Sequence, residues 1–228
     1  MSAPHCIVFL GPSLARDEAE TILPAEYRAP AGQGDIFRAC AERPVAIALI
    51  DGIFKDAPTA RHREILWALS QGIPVFGASS MGALRAAELS GQGMIGIGLI
   101  YRWYRLFALL PDDAVAVTHS PAELGSFPVS DALVDIRRSL SAARRLGLIT
   151  SEIANAELAR MTALPFADRQ MPEAVGPAVV RQKAADARTL LCRLAGHGSR
   201  SDWPIPKVPQ PAIVHAWLDD LRDSGLSL

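Results

Sequence analysis

The sequence predicts an α/β fold, with an open, mainly parallel sheet, helices on both faces, and an α-helical C-terminal part. Short apolar runs alternate with amphipathic segments through the first half of the chain, which is typical of parallel strands joined by helices. From about residue 129 the alternation stops and the apolar spacing becomes helical. We therefore predict an α/β core over residues 1–128 and a helical region over residues 129–228, with a linker rich in Pro and Gly near residues 196–211.

The first predicted strand covers residues 6–10, which are all apolar. It ends at the loop signal Gly11-Pro12-Ser13, and this pattern is typical of a buried parallel strand. Residues 14–20 follow with early acidic side chains, which suit the N-terminus of a helix. Residues 32–42 predict a second helix, which the proline at position 44 ends.

The next predicted strand, residues 45–50, is the clearest in the sequence, because six apolar residues run without interruption. It ends at Asp51 and Gly52, a turn signal that also places a carboxylate at the carboxyl end of the strand. An amphipathic helix follows over residues 59–71, and Gly72 is its expected C-terminal stop.

Residues 73–89 predict a strand, a turn and a helix. Ser79 and Ser80 occupy the turn, where a buried strand leads into a helix N-terminus. A hydroxyl there can cap the helix, bind an anion on free backbone N–H groups, or attack an electrophile whose oxyanion those groups stabilise. Neither serine lies in a complete Gly-x-Ser-x-Gly elbow, because Gly77 precedes Ser79 and Gly82 follows Ser80, each by two residues.

The rest of the chain divides into one more α/β stretch and a run of helices. Residues 91–98 form a glycine-rich connection, and residues 99–110 predict a partly helical aromatic segment. Residues 114–118 predict a further strand, which His119 follows. Helices are predicted in the C-terminal region within residues 130–148, 151–161, 179–195 and 212–221.

Parallel strands bring the residues at their carboxyl ends to one edge of the sheet, where such folds collect their ligand sites. Gly11, Ser13, Asp51, Ser80 and His119 all follow predicted strands. We therefore expect the functional site at this edge. Turn chemistry alone is the alternative explanation, because loops commonly contain Gly, Ser and Asp.

The charge and the apolar patterning argue against several classes of function. The 228-residue chain has a formal net charge of -1 and a pI near 6.5, which gives no basis for binding nucleic acid or an anionic membrane surface. The N-terminal residues lack the basic region of a secretory signal, and no apolar run is long enough to span a membrane. We therefore expect a cytoplasmic protein.

The residues that bind metals and cofactors show no recognisable pattern. Three widely spaced cysteines argue against a disulfide framework and a zinc site, and we expect Cys6 and Cys192 to be small buried hydrophobes. The five histidines lack metal-ligand spacing, and the sequence contains neither a Walker loop nor a dinucleotide fingerprint. We expect no metal and no cofactor.

Nucleophilic catalysis requires a hydroxyl, a base that can lose its proton, and donors for an oxyanion. The backbone around Met81 and Gly82 could supply the donors. Lys55 is the one lysine in the sheet half and hence a candidate base, with an ordinary solvated lysine as the alternative. His62 or His119 could serve instead.

Five ordered blocks of residues span positions 11–137. The blocks are Gly11-Pro12-Ser13-Leu14, Asp51-Gly52-x-Phe54, His62 to Leu69, Gly77 to Glu88, and Ser130-x-x-Leu133-Val134-x-Ile136-Arg137. Together these blocks resemble the TfuA-like family, and the block around the two serines is the most specific of them. The remaining C-terminal helices are compatible with the family.

The resemblance implies work beside a YcaO enzyme, which uses ATP to activate a peptide backbone amide so that sulfur replaces its oxygen. TfuA-like proteins are the accessory half of this system. The family is associated with hydrolysis of the thiocarboxylate at the C-terminus of a ThiS-like sulfur carrier, which releases sulfide, and with improved binding of the peptide by YcaO. The implied partners are YcaO, a ThiS-like carrier protein and, through YcaO, a precursor peptide.

The chemistry of the family is attributed to a hydrolase-like Ser–Lys pair. The candidate nucleophiles, in order, are Ser80, Ser79 and Ser13. Ser80 is placed first because the neighbouring Gly82 would leave room for a carbonyl to approach, and Lys55 is the candidate base. Arg63 stands where the family commonly has a lysine, and an arginine keeps its charge and cannot act as a base. The candidate substrate-binding residues are Gly11, Asp51, His62, Glu64, Gly77, Gly82, Arg85 and His119.

Two other functions remain open from the sequence. A non-catalytic adaptor that activates YcaO, with the aromatic segment Tyr101 to Phe107 as its contact surface, would agree with Arg63 and with the single nearby lysine. A protein that binds a small anion or a nucleotide could use the helix N-terminus at the two serines. Arg85 and Glu88, three positions apart, are expected to form an ion pair on the helix surface.

Overall fold

The computed structural model describes residues 5–53, 58–106, 110–118 and 128–196, together with the single residues Asp219, Arg222 and Gly225. Within these ranges the chain forms a five-stranded parallel sheet flanked by helices. The strands are β1 (Cys6–Phe9), β2 (Glu26–Arg28), β3 (Ala46–Leu49), β4 (Val75–Gly77) and β5 (Ile95–Gly96). The α-helices are α1 (Arg16–Ile22), α2 (Asp35–Ala41), α3 (His62–Ser70), α4 (Met81–Leu89), α5 (Leu99–Leu106), α6 (Leu133–Arg145), α7 (Ser151–Ala163) and α8 (Gln182–Ala195).

The spatial order of the strands is β2-β1-β3-β4-β5, and every pair of neighbours is parallel. The chain moves outward from β1 to β2, then returns past β1 to form β3 and continues in the other direction. The order of the strands therefore changes direction between β1 and β3, and this position is called a topological switch point. The loops after β1 and β3 leave the sheet on either side of it, and open α/β sheets form their ligand crevices at such points.

Both faces of the sheet are covered, as the sequence predicts. Side chains alternate along β1, so Ile7 and Phe9 pack with residues of α2 and α3. Val8 packs on the opposite face with residues of α1 and α8. The α/β architecture is thus confirmed, and the three inner strands β1, β3 and β4 are almost completely buried because helices lie on each side.

Helix α8 belongs to the predicted C-terminal region but packs directly on the sheet. Leu190, Leu191 and Leu194 join the same apolar cluster as Val8 and Phe76. A third cluster brings α6 and α7 together with parts of α4 and α5. The proposed boundary near residue 128 remains a prediction, and the predicted helix at 212–221 lies largely outside the described residues.

Three sequence-based predictions differ from the structure. Residues 114–118 do not form a strand: a 3-10 helix at Asp112–Val115 buries Ala114 and Val115 against the third cluster instead. Strands β2 and β5 were not predicted, because they have only three and two residues and lack an apolar run. Cys192 is exposed and Cys6 is half-buried, where both were expected to be buried, whereas Cys40 is buried.

No helix among the described residues has the length and apolar character needed to cross a membrane.

Arg169 is a fully buried cation that ties the end of α7 to the 3-10 helix. Its Nε donates to the carbonyls of Met161 and Leu164, and its two terminal nitrogens donate to the Asp113 carbonyl at 2.9 Å and the Asp113 carboxylate at 3.0 Å. The planar guanidinium satisfies all of these acceptors at once, which a lysine ammonium cannot do.

We expect Arg169→Lys to lower the free energy of unfolding by about 2–3 kcal/mol, because buried acceptors lose their donors. Urea denaturation would measure the change. Arg160→Lys is the matched control, since Arg160 forms an exposed pair with Glu157 and should change stability by less than about 0.5 kcal/mol. Equal stability of the two variants would contradict the role given to Arg169.

Candidate functional site

Asp51 organises the loop that follows β1. Its carboxylate accepts hydrogen bonds from the backbone N–H groups of Gly11 and Ser13 at 2.9 and 3.1 Å, and from the Ser13 hydroxyl at 2.7 Å. Asp51 is almost completely buried, and it lies two residues after the end of β3, on the other side of the switch point from Ser13. The strand ends thus meet through direct hydrogen bonds, because parallel pairing of β1 and β3 places both loops at one edge.

Lys183, in the first turn of α8, reaches the same edge from the C-terminal region. Its side chain is only 4% exposed, and Nζ donates to the backbone carbonyl of Val115 at 2.8 Å. Its backbone N–H donates to the carboxylate of Asp135, a buried residue in the first turn of α6. This lysine is therefore fixed at both its backbone and its side-chain end.

The burial of Lys183 changes its proton affinity. Removal from water lowers the pKa of Lys183, while the negative charges of Asp51 and Asp135 act in the opposite direction. Burial raises the pKa of Asp135, whereas backbone hydrogen bonds and the positive charges of Lys183 and Arg181 act to lower it. The site thus holds a lysine whose neutral form is favoured relative to an exposed lysine.

Ser80 shares a hydrogen-bond acceptor with Lys183. The Ser80 hydroxyl donates to the carbonyl of Val115 at 3.4 Å, and this is the same oxygen that accepts from Lys183 Nζ. Ser80 is 7% exposed. A hydroxyl and a buried amine are therefore held around one carbonyl, the arrangement from which a Ser–Lys pair can form.

Ser79 lies in a strained turn between β4 and α4. Its φ is +68°, and the Ser80 N–H donates to the Ala78 carbonyl at 2.8 Å, which together define a γ-turn with positive φ at its centre. Its side chain is fully buried, and its Oγ has no hydrogen-bond partner among the described residues. Backbone strain of this kind clusters at active sites and ligand-binding sites.

This strain gives a prediction about stability. Ser79→Gly and Ser79→Ala both remove the hydroxyl, but only glycine adopts positive φ without a steric penalty. We expect the glycine variant to be more stable than the alanine variant by about 1 kcal/mol in urea denaturation. If the alanine variant were as stable as the glycine variant, the described turn would be wrong.

Gly77 and Gly82 serve close packing. A Cβ on Gly82 would lie 1.7 Å from the Leu49 carbonyl oxygen, and a Cβ on Gly77 would lie 2.1 Å from the Gly82 carbonyl oxygen. The space beside Gly82 is thus filled by β3, so the argument that it leaves room for a substrate carbonyl is wrong. The Gly82 N–H also donates to the Ile50 carbonyl at 3.2 Å, which corrects its expected role as an oxyanion donor.

A cavity of about 230 Å³ opens beside Lys183. Ser13, Ser130 and Asp135 line it together with the lysine, and Arg181 lies at the same cavity in an ion pair with Asp131. The cavity therefore combines a buried amine, a hydroxyl already bound to a carboxylate, and several charged groups.

His62 and Arg85 form an ion-pair cluster with Glu88. His62 Nε2 lies 2.7 Å from a Glu88 carboxylate oxygen, and Arg85 donates to the same oxygen at 2.7 Å, which confirms the expected pairing of Arg85 with Glu88. Burial raises the pKa of Glu88, but the bonds from these two partners outweigh it and hold that pKa below its usual value. The structure describes no bond between this cluster and Ser80 or Lys183.

Glu64 joins the starts of α2 and α3. Its buried carboxylate accepts hydrogen bonds from the backbone N–H groups of Gly34 and Arg61. Burial raises the pKa of Glu64, although these hydrogen bonds act to lower it. These bonds give Glu64 a structural capping role. Arg63, next to it on α3, is exposed.

Lys55 and His119 lie outside the described residues. Lys183, by contrast, was missed by sequence reasoning as a site residue, because it is more than a hundred positions from the serines. One signal was present: Lys183 falls four residues before Ala187 on the apolar stripe of α8 that continues to Leu190, Leu191 and Leu194. A lysine on a buried helix face requires a polar partner inside the fold.

The aromatic segment that was expected to contact a partner packs inward in part. Tyr101, Trp103 and Tyr104 lie against the third cluster, and the Tyr104 hydroxyl donates to backbone carbonyls near the start of the 3-10 helix.

At the surface, His5, Glu26 and Glu42 come close enough together to share a metal ion, but Arg28 already pairs with both carboxylates.

Comparison with known proteins identifies a family. The family model of TfuA-like protein matches residues 51–170, a segment that contains Asp51, both serines and Asp135, whereas Ser13 and Lys183 lie outside it. No curated protein matches the sequence. Because the family match covers more than half of the chain, the chain belongs to the TfuA-like protein family.

Proposed function

We propose that this protein hydrolyses the C-terminal thiocarboxylate of a ThiS-like sulfur carrier and supplies sulfide to a YcaO enzyme that thioamidates a precursor peptide. Membership of the TfuA-like family makes this the leading function. One observation supports the chemistry above the others. The Ser80 hydroxyl and the amine of Lys183 contact the same carbonyl oxygen, in surroundings that lower the pKa of Lys183.

The proposed reaction begins with proton transfer from Ser80 to Lys183. The neutral amine keeps its N–H bond to the Val115 carbonyl and uses its lone pair to accept the hydroxyl proton. Ser80 Oγ then attacks the thiocarboxylate carbon, and the carbonyl oxygen gains the negative charge. Collapse of this intermediate breaks the C–S bond, and the sulfide leaves with the proton that Lys183 returns.

Hydrolysis of the resulting ester completes the reaction. Water attacks the acyl carbon, Lys183 accepts a proton from that water, and Ser80 Oγ recovers a proton as the carboxylate product departs. Overall, a thiocarboxylate and water become a carboxylate and hydrogen sulfide. The oxyanion donor is the Met81 N–H, because the first N–H of α4 has no acceptor within the helix, whereas the Gly82 N–H is already engaged.

Ser13 is the alternative nucleophile. Its hydroxyl lines the cavity beside Lys183 and donates to the Asp51 carboxylate, which could accept its proton. We rank it below Ser80, because the same carboxylate also accepts two backbone N–H groups and so has a structural function in the loop.

The test is sulfide release from a thiocarboxylated carrier protein. We expect wild type and Ser13→Ala to release sulfide, and Ser80→Ala to lose at least about 10²-fold in kcat because the nucleophile is absent. Circular dichroism would establish that each variant is folded. If wild type releases no sulfide, the proposal fails; if Ser13→Ala alone is inactive, the nucleophile is Ser13.

A non-catalytic adaptor of YcaO is the second candidate, and the burial of the Ser79 and Ser80 side chains favours it. In this case the protein raises the affinity of YcaO for its peptide without acting on the carrier. Ser79→Ala and Ser80→Ala would then still support thioamidation of the peptide. Loss of thioamidation in variants that still bind YcaO would exclude the adaptor.

A further inference from the structure

A second cavity adjoins the one at Lys183. It has a volume of about 450 Å³, and Pro12 and Pro128 line both cavities, so the two share a wall. We refer to the cavity at Lys183 as the inner compartment and to the larger one as the outer compartment.

Two stretches of chain form the sides of the outer compartment. One follows β1 and includes Leu10 and Leu14, and the other is the end of edge strand β2 with Ala29 and Pro30 after it. Tyr27 contributes its ring, which is fixed because its hydroxyl donates to the carbonyls of two residues on the α1 side. The lining is therefore largely apolar and lies at the carboxyl ends of β1 and the edge strand β2.

The two cations of the outer compartment are already paired. Arg16 bonds to Glu20, and Arg28 bonds to both Glu26 and Glu42. These carboxylates compensate the guanidinium charges, so the compartment has no unpaired cation among the arginines that line it. An apolar occupant fits this lining better than an anionic one.

We infer that the outer compartment binds the residues that precede the reacting C-terminus of the substrate, and that this segment is extended and apolar. The inference rests on the proposed function, which places the terminal thiocarboxylate near Lys183. The inner compartment is too small for a folded domain, so only the end of a chain can enter it. An extended chain that leaves it past Pro12 and Pro128 enters the outer compartment directly.

The test compares two substitutions of exposed alanines to tryptophan. Ala29→Trp fills the outer compartment from its rim, whereas Ala156→Trp adds the same side chain on the exposed surface of α7. The ligand is a synthetic peptide that carries leucine upstream of its terminal carboxylate, the product form of the reaction. Calorimetry would measure its dissociation constant without requiring any hydrolysis.

We expect Ala29→Trp to weaken binding of this peptide by about tenfold or more, and Ala156→Trp to leave it unchanged. A peptide with aspartate in place of the leucine should bind wild type more weakly. Unchanged affinity in Ala29→Trp, no binding to wild type, or tighter binding of the aspartate peptide would each overturn the inference.

Activity separates this inference from the proposed function. With the corresponding thiocarboxylates, Ala29→Trp should raise KM for the leucine peptide by about tenfold, whereas Ala156→Trp should leave that KM unchanged. Wild type could bind the peptide and Ala29→Trp could weaken that binding, while no thiocarboxylate is hydrolysed. This result would support peptide binding in the outer compartment and would show that the hydrolase function is wrong.

Discussion

Replacement of Lys183 by methionine is expected to reduce kcat for sulfide release by about 10²–10⁴-fold, the range that a general base contributes. Methionine has a length close to that of the lysine stem but provides no lone pair for the Ser80 proton. Lys183→Arg is the informative partner variant, because it retains the positive charge and cannot deprotonate. Both variants should be inactive if the neutral amine is the base.

The pH dependence of wild type provides a second measurement of the same group. Burial lowers the pKa of Lys183, so kcat/KM should rise with pH as the amine deprotonates and level off above this lowered pKa. An acid limb that persists unchanged in Lys183→Met, or sulfide release at the wild-type rate in either variant, would show that Lys183 is not the base.

Stability should change with pH in a defined direction. Because the folded pKa of Lys183 lies below its unfolded value of about 10.4, the unfolded chain takes up the proton first as pH falls. The contribution of this group is present above the unfolded pKa and is lost as pH falls towards the folded pKa. As pH falls from the unfolded pKa towards the folded pKa of Lys183, the free energy of unfolding should therefore decrease less in Lys183→Met than in wild type.

Substitution of Gly82 by alanine is expected to abolish stable folding. The new Cβ would lie 1.7 Å from the Leu49 carbonyl oxygen and 2.6 Å from its carbon, so α4 would have to move away from β3. Backbone atoms of a central strand cannot yield as a flexible side chain would. We expect a loss above about 4 kcal/mol, or no soluble protein.

Gly91→Ala is the matched control for this substitution. Gly91 follows α4 closely, is exposed, and its Cβ would meet no atom within 4 Å. Its free energy of unfolding in urea should stay within about 0.5 kcal/mol of wild type. A folded Gly82→Ala variant with the stability of the Gly91→Ala variant would contradict the close approach of α4 to β3.

Much of the fold could be predicted because its signals are local. The apolar runs that became β1 and β3 are continuous, and helix periodicity identified α3 and α6 from a few turns each. The meeting of Ser13 with Asp51 was anticipated in outline, because parallel strands place their carboxyl ends at one edge. Strand β5 escaped prediction, since two residues carry no periodicity.

The sequence by itself determined the α/β class, the family resemblance, and the position of Ser79 and Ser80 at a strand-to-helix turn. Only the tertiary structure decided that Lys183 shares the Val115 carbonyl with Ser80, that Ser79 has positive φ, and that β3 fills the space beside Gly82. The physical reason is the distance along the chain over which each kind of signal acts. Propensity and periodicity act over a few residues, whereas the contact that joins positions 80, 115 and 183 arises from packing α8 on the sheet.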